Sequence, residues 1–159
     1  MLFSKKKYNS DLANDFGNLV SRVSTLINNN FDSKIPIPST MESDLAKNYK
    51  KIILKDKLDN LEIDKVINNT MTFIRSINVF MEKNEPWKLV KVDKDKAGNI
   101  LFHCAEALRL SSILLSPVMP SKSEDILQIL GTKEKSLVWG KLKPSSSIIL
   151  SKPIFPRIN

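Results

Sequence analysis

The sequence has only one cysteine, Cys104, and only one histidine, His103. A single cysteine excludes a disulfide framework within the chain and fits a reducing compartment. No run of about eighteen apolar residues is present, so no segment is suited to span a membrane as a helix. At the N-terminus the apolar residues precede the lysines, which is the wrong order for a secretory signal. We therefore expect a cytoplasmic protein that does not bind membranes.

Glycine is also scarce, with four among 159 residues, whereas 42% of the residues are hydrophobic. Glycine weakens helix interiors and marks tight turns, so its scarcity favours helices. The length suits one domain with a sizeable core. The formal net charge is +8, and such a surface favours a polyanionic partner, with nucleic acid as the first choice.

Apolar residues recur at spacings of three and four in four segments, which is the pattern of amphipathic helices. We predict these helices at about 10–31, 40–54, 59–83 and 97–115. A shorter fifth helix opens with a capping box of Ser121 and Glu124 and ends at Gly131. The fold class is therefore all-α, a helix bundle of four to five helices. Residues 1–131 form the bundle, and residues 132–159, with three prolines, form an irregular tail packed on the same domain.

The sequence lacks the motifs of a catalytic, phosphate-binding or metal-binding site. No Gly-rich phosphate loop is present. His103 and Cys104 are adjacent, and neighbours on a helix point about 100° apart, which makes them a poor metal pair. We interpret Cys104 as a small buried hydrophobe and His103 as a residue at the surface or boundary. The sequence thus predicts no catalytic residue and no metal site.

Five segments nevertheless resemble the methionyl-tRNA synthetase family, and they follow that family's order. They are 8–22, which includes Asn-Leu-Val-Ser-Arg, then 31–36 (Phe-Asp-Ser-Lys-Ile-Pro), 84–89 (Asn-Glu-Pro-Trp-Lys-Leu), 114–120 (Leu-Leu-Ser-Pro-Val-Met-Pro) and 155–158 (Phe-Pro-Arg-Ile). The resemblance covers essentially the whole chain. It implies the family's C-terminal anticodon-binding domain, a module that recognises the CAU anticodon loop of methionine tRNA.

The same resemblance implies the residues that read the anticodon: Asn18, Arg22, Pro86 and Trp87. The helical period is compatible with this role. Asn18 and Arg22 are four residues apart and lie off the apolar stripe of the first helix, so both can face solvent. An indole offers a stacking face to an unpaired base. Lys88 and Lys91 follow at once and are candidates for phosphate contacts.

The nucleotide-binding catalytic fold of the family and its zinc-knuckle insertion are missing from this chain. The resemblance therefore implies one domain of a larger ATP-dependent methionine–tRNA ligase, whose catalytic domain is its partner in the same polypeptide. ATP and magnesium are implied for the intact enzyme, and no cofactor for this domain. We expect the domain alone to bind tRNA without aminoacylating it.

Two alternatives remain open from the residues. The basic surface and the apolar tail also fit a protein-interaction or assembly bundle. Within the synthetases, Pro-Trp and Leu-x-Pro-x-Met-Pro also occur in class I enzymes for other aliphatic amino acids, although Asn-Leu-x-x-Arg favours methionine.

Overall fold

A computed structural model describes residues 15–55 and 62–150 of the chain. Within these residues it has six helices: α1 Gly17–Asn30, α2 Asp44–Ile52, α3 Ile63–Asn84, α4 Pro86–Val92, α5 Lys94–Leu115 and α6 Pro120–Ile129. The extended pairing found in the described part is a single bridge between Lys34 and Ser147. The predicted all-α class is confirmed, with one helix more than expected.

Helix α5 is the centre of the bundle. It contacts all five of the other described helices, and 17 of its 22 residues are buried. A helix that is covered on every side has no polar face to present to water. The polar side chains of α5 must therefore find partners inside the protein.

Two of those polar side chains form an ion pair with no exposure to solvent. Nε of Arg109 lies 2.5 Å from one oxygen of Glu106, and a second guanidinium nitrogen lies 3.0 Å from the other oxygen. The remaining guanidinium N–H groups donate to the backbone carbonyls of Glu134, Ser136 and Val138. Because a buried charge is costly unless it is fully paired, this pair holds the segment after α6 against α5.

The segment that follows α6 crosses the bundle without forming a helix. Gly131 has a φ of 67°, and a Cβ atom there would lie 1.9 Å from the carbonyl oxygen of Ser147. Farther along this segment, the carbonyl oxygen of Ser146 accepts a hydrogen bond from the N–H of Ile35. The N–H of Ser145 donates to the carbonyl oxygen of Ile35. Leu142 and Ile148 are buried in the core. These contacts fix residues 131–148 on the bundle; the last nine residues of the predicted tail lie outside the described part.

Several helix ends differ from the predicted ones. Residues 10–14 of the predicted helix 10–31 lie outside the described part, and α1 ends at Asn30, as the run of asparagines indicates. Helix α2 begins four residues later than predicted because the Ser43 side chain caps it by accepting from the N–H of Ala46. Helix α5 begins three residues earlier than predicted, since Asp93 caps it by accepting from the N–H of Lys96.

Two predictions at proline positions were wrong. Helix α6 begins at Pro120, its N-cap is Met119, and no side chain caps it. The predicted capping box does not form, and Glu124 pairs instead with Lys135. Helix α4 is absent from the prediction, because a proline that follows an apolar stripe usually marks the end of a helix. Proline is also well suited to the first position of a helix, and Pro86 occupies that position in α4.

The interpretation of His103 was wrong, whereas that of Cys104 is confirmed. Both side chains are fully buried. The His103 ring nitrogens lie 3.0 Å from the Ser43 hydroxyl and 2.8 Å from the Thr40 carbonyl oxygen. Its ring also stacks on Trp139. Burial raises the pKa of the Cys104 thiol, so this thiol remains protonated and is a poor nucleophile.

Removing Arg109 should be among the most damaging single changes. Arg109→Met leaves the Glu106 carboxylate buried without its cation, and we expect the free energy of unfolding to fall by about 3–5 kcal/mol. Urea unfolding measures the loss. The double variant Glu106→Gln, Arg109→Met removes both charges and should be more stable than the single variant. A double variant that is less stable than Arg109→Met would contradict this account.

His103 should make stability depend on pH. Desolvation lowers its pKa from the ordinary value of 6.5, against the opposing effects of the Thr40 hydrogen bond and Glu106. The unfolded chain therefore binds a proton before the folded protein does, so the free energy of unfolding falls as pH drops below about 6.5. Unfolding of the wild type and of His103→Gln at pH 8 and pH 5 isolates this contribution. Equal pH dependence in the two proteins would show that His103 does not contribute.

Candidate nucleic-acid interface

The outer face of α1 carries two of the predicted site residues. Asn18 is exposed, and the side chain of Arg22 is 38% exposed. Leu19 and Val23, which follow them directly in sequence, are buried in the core. The expectation from the helical period that Asn18 and Arg22 lie off the core is therefore confirmed, and they occupy successive turns of one face.

The Arg22 guanidinium is held between two other helices. One of its nitrogens lies 3.4 Å from the Asn78 side-chain oxygen, and another lies 3.2 Å from a carboxylate oxygen of Glu82. Both partners are on α3, four residues apart. The guanidinium carbon lies 5.3 Å from the centre of the Trp87 ring, within the range of a cation–π contact. The structure thus brings Arg22 and Trp87 together, although they lie 65 positions apart in the sequence.

A sharp turn between α3 and α4 positions Trp87. Glu85 is the residue between the two helices, and it adopts the left-handed conformation with a φ of 47° and a ψ of 58°. That conformation costs a residue other than glycine about 1–2 kcal/mol. Pro86 then begins α4 and is buried, while Trp87 packs partly against the core. The predicted Pro-Trp pair therefore has two roles: Pro86 anchors the turn, and Trp87 presents its ring to α1.

A cavity of about 410 Å³ lies between α1 and Trp87. Its walls are Ser21, Arg22, Thr25, Leu26 and Trp87. The cavity combines an aromatic ring, an aliphatic side chain, two hydroxyls and a cation. Unpaired nucleotides bind to such combinations, because a base needs a flat apolar surface for its face and polar groups for its edge.

Exposed lysines continue the surface beyond Trp87. Lys88 and Lys91 on α4, and Lys94 and Lys96 at the start of α5, are all exposed. The Lys88 amine lies 2.8 Å from the Glu85 carboxylate, and this hydrogen bond raises the pKa of Lys88. Lys94 lies over the Phe31 ring, with its amine 5.3 Å from the ring centre. These lysines add exposed basic side chains to α4, the helix that carries Trp87, and to the start of α5.

Four polar residues of this site were not found from the sequence. Asn78 and Glu82 are 56 and 60 residues away from Arg22, and no local pattern connects them to α1. Ser21 belongs to the segment 8–22 that carries the resemblance and Thr25 follows that segment on α1, but a hydroxyl on a polar helix face gives no signal of its own. Their proximity to Trp87 depends on where the turn between α3 and α4 places that ring.

Other kinds of site are not evident in the described residues. No group of three or more His, Cys, Asp or Glu side chains within 15–55 and 62–150 could hold a metal ion. None of the described helices is both long and apolar enough to cross a membrane. A larger cavity of about 660 Å³ runs along α2 beside Tyr49 and Trp139, but none of the predicted site residues lines it.

The chain matches the family model of the anticodon-binding domain of methionyl tRNA ligase over residues 36–153. The methionine–tRNA ligase of Thermotoga maritima is 30% identical to this chain, and the match covers 96% of the chain and 26% of that relative. The methionine–tRNA ligase of Caldanaerobacter subterraneus subsp. tengcongensis is 32% identical, with the same coverage. The chain therefore spans about a quarter of the length of these relatives.

A solved structure has the same fold. Mycobacterium tuberculosis methionyl-tRNA synthetase in complex with methionyl-adenylate superposes with a TM-score of 0.82 at 23% identity, over 96% of this chain and 32% of that one. The family match decides between the synthetase alternatives that the sequence left open. This chain belongs to the family of methionyl-tRNA ligase anticodon-binding domains.

Proposed function

We propose that this domain reads the CAU anticodon of methionine tRNA with Asn18, Arg22, Pro86 and Trp87. The observation that carries the proposal is the Arg22 guanidinium held over the Trp87 ring, at the wall of a cavity that opens beside α1. The choice of CAU rests on the family and on the resemblance of the Asn-Leu-x-x-Arg and Pro-Trp segments.

Trp87 and Arg22 have complementary tasks in this proposal. Stacking of a base on an aromatic ring contributes about 1–3 kcal/mol and tolerates any base. Choice among bases needs donors and acceptors at the base edge. Arg22 has five N–H donors, and its contacts with Asn78 and Glu82 leave others to meet a base or a phosphate. Because its ion pair is partly exposed, the pair is weak and Arg22 can be redirected at low cost.

Asn18 and Pro86 complete the set. Asn18 is exposed one turn before Arg22, and its amide offers both a donor and an acceptor to the edge of a base. Pro86 contacts the core rather than solvent, so its contribution is to fix the turn that presents Trp87. Lys88 and Lys91 add attraction to phosphates, which strengthens binding at low salt without choosing a sequence.

The longer enzyme would be an ATP-dependent methionine–tRNA ligase of the cytoplasm. Support comes from the relatives, which are named methionine–tRNA ligases and of which this chain spans only a part. ATP and magnesium would bind to the catalytic domain of the same polypeptide. The present domain would bind the anticodon loop and would not aminoacylate alone.

Anticodon choice is tested with a methionine anticodon stem-loop and a variant that differs at one anticodon base. We expect the CAU stem-loop to bind more tightly at both low and moderate salt. Trp87→Ala should weaken CAU binding by about 1–3 kcal/mol, since it removes the stacking surface. Fluorescence anisotropy of a labelled RNA gives the dissociation constants. Equal affinity for the two stem-loops at both salt concentrations would refute the proposal.

Arg22 should matter to binding more than to stability. Arg22→Gln should lower the free energy of unfolding by less than about 1 kcal/mol, because the ion pair is exposed. The same change should weaken CAU binding by about 1.5–3 kcal/mol, the range for a hydrogen bond with a charged group. Arg75→Gln is the matched control, since Arg75 is an exposed arginine of α3 outside the cavity. Equal losses of binding in the two variants would reduce the role of Arg22 to net charge.

A further inference from the structure

We propose that the hydroxyls of Ser21 and Thr25 bind the ribose 2′-hydroxyl of the nucleotide that stacks on Trp87, and so make the site selective for RNA over DNA. The inference rests on the proposed function and adds a contact to the sugar. It assigns a role to two residues that the anticodon-reading set leaves out.

The positions of these hydroxyls carry the argument. Ser21 and Thr25 are four residues apart on α1 and line the same cavity as Trp87. Their side chains are exposed. A helical serine or threonine often bonds the carbonyl one turn before it, as Ser24 does with Val20. Among the described residues, the hydroxyls of Ser21 and Thr25 make no such bond, so both are available to a ligand.

The chemistry of a hydroxyl favours the sugar over the base. A single hydroxyl donates one hydrogen bond and accepts others, and it can rotate to exchange these roles. A ribose 2′-hydroxyl is likewise both donor and acceptor, and it is the group by which a protein distinguishes RNA from DNA. Serine and threonine discriminate poorly between bases because each accepts either kind of partner. Asn18 and Arg22 are better suited to the base edge.

The geometry of the cavity is consistent with this division of tasks. Trp87 forms one wall, and the hydroxyls belong to the α1 wall. The sugar of a nucleotide is attached at the edge of its base, so a base that stacks on the Trp87 ring leaves its sugar and phosphate beside that ring. The α1 side then offers hydroxyls to the sugar, and Arg22 offers its charge to the base edge or the phosphate.

The test uses the 159-residue protein and CAU stem-loops with one 2′-hydroxyl replaced by 2′-fluoro, at each anticodon nucleotide in turn. Fluorine keeps the ribose conformation but cannot donate a hydrogen bond. At one of the three positions we expect wild-type affinity to fall about three- to tenfold, the effect of one or two lost hydrogen bonds. In the double variant Ser21→Ala, Thr25→Val, the unmodified stem-loop should bind about three- to tenfold more weakly, and that fluorine effect should disappear.

Two variants serve as controls. Thr25→Ser in an otherwise wild-type chain keeps the hydroxyl and should retain the fluorine effect. Thr72→Val removes an exposed hydroxyl from α3, where it donates a hydrogen bond to the Asn68 carbonyl within its own helix. This variant should bind the unmodified and the 2′-fluoro stem-loops with wild-type affinity. Circular dichroism establishes that each variant retains the helical content of the wild type.

The outcomes separate this inference from the proposed function. If the wild type prefers CAU but no position shows a fluorine effect, or if the effect persists in the double variant, the contact to the sugar is refuted and anticodon reading stands. If CAU preference itself is absent, the proposed function fails whatever the sugar results.

Discussion

The fold depends on burying the central helix α5, which carries two opposite charges into the interior. Glu106 and Arg109 satisfy each other only in part. The carbonyls of the segment after α6 complete the hydrogen bonding of the guanidinium, and the N–H groups of Gly140 and Lys141 complete that of the carboxylate. Helix and segment therefore need each other, since displacing the segment would leave buried hydrogen-bonding groups of both charges without partners. With the core closed in this way, the outer faces of α1, α3 and α4 are free to carry polar side chains with other tasks.

Much of the fold could be predicted because most helices bury only one side. The apolar stripes of α1 and α3 made their existence predictable, while their ends depended on single capping contacts that periodicity does not report. The wrong prediction that His103 lies at the surface or boundary has a related cause. On a helix with one buried side, adjacent residues point in different directions and one of them reaches solvent, but α5 is buried all round, so His103 and Cys104 are both inside. Helix α4 was missed because a proline can end one helix and begin the next.

Only part of the candidate site could be predicted from the sequence. The helical period predicted that Asn18 and Arg22 lie off the core, and the resemblance indicated Pro-Trp. Neither could indicate that α3 supplies Asn78 and Glu82 to hold the guanidinium, because this contact arises from the packing of distant segments. The two sources of information are complementary, since periodicity places a side chain on a face and only the tertiary structure shows what that face meets.

The turn at Glu85 has a consequence for the history of such domains. Asn78 and Glu82 lie on α3, Trp87 lies on α4, and one residue separates these helices. Inserting or deleting a residue at this junction would rotate Trp87 by about 100° around its helix and turn the ring away from α1. Substitutions at this turn are compatible with the position of Trp87, whereas insertions and deletions are not. We therefore expect relatives that differ in sequence around this turn to retain its length.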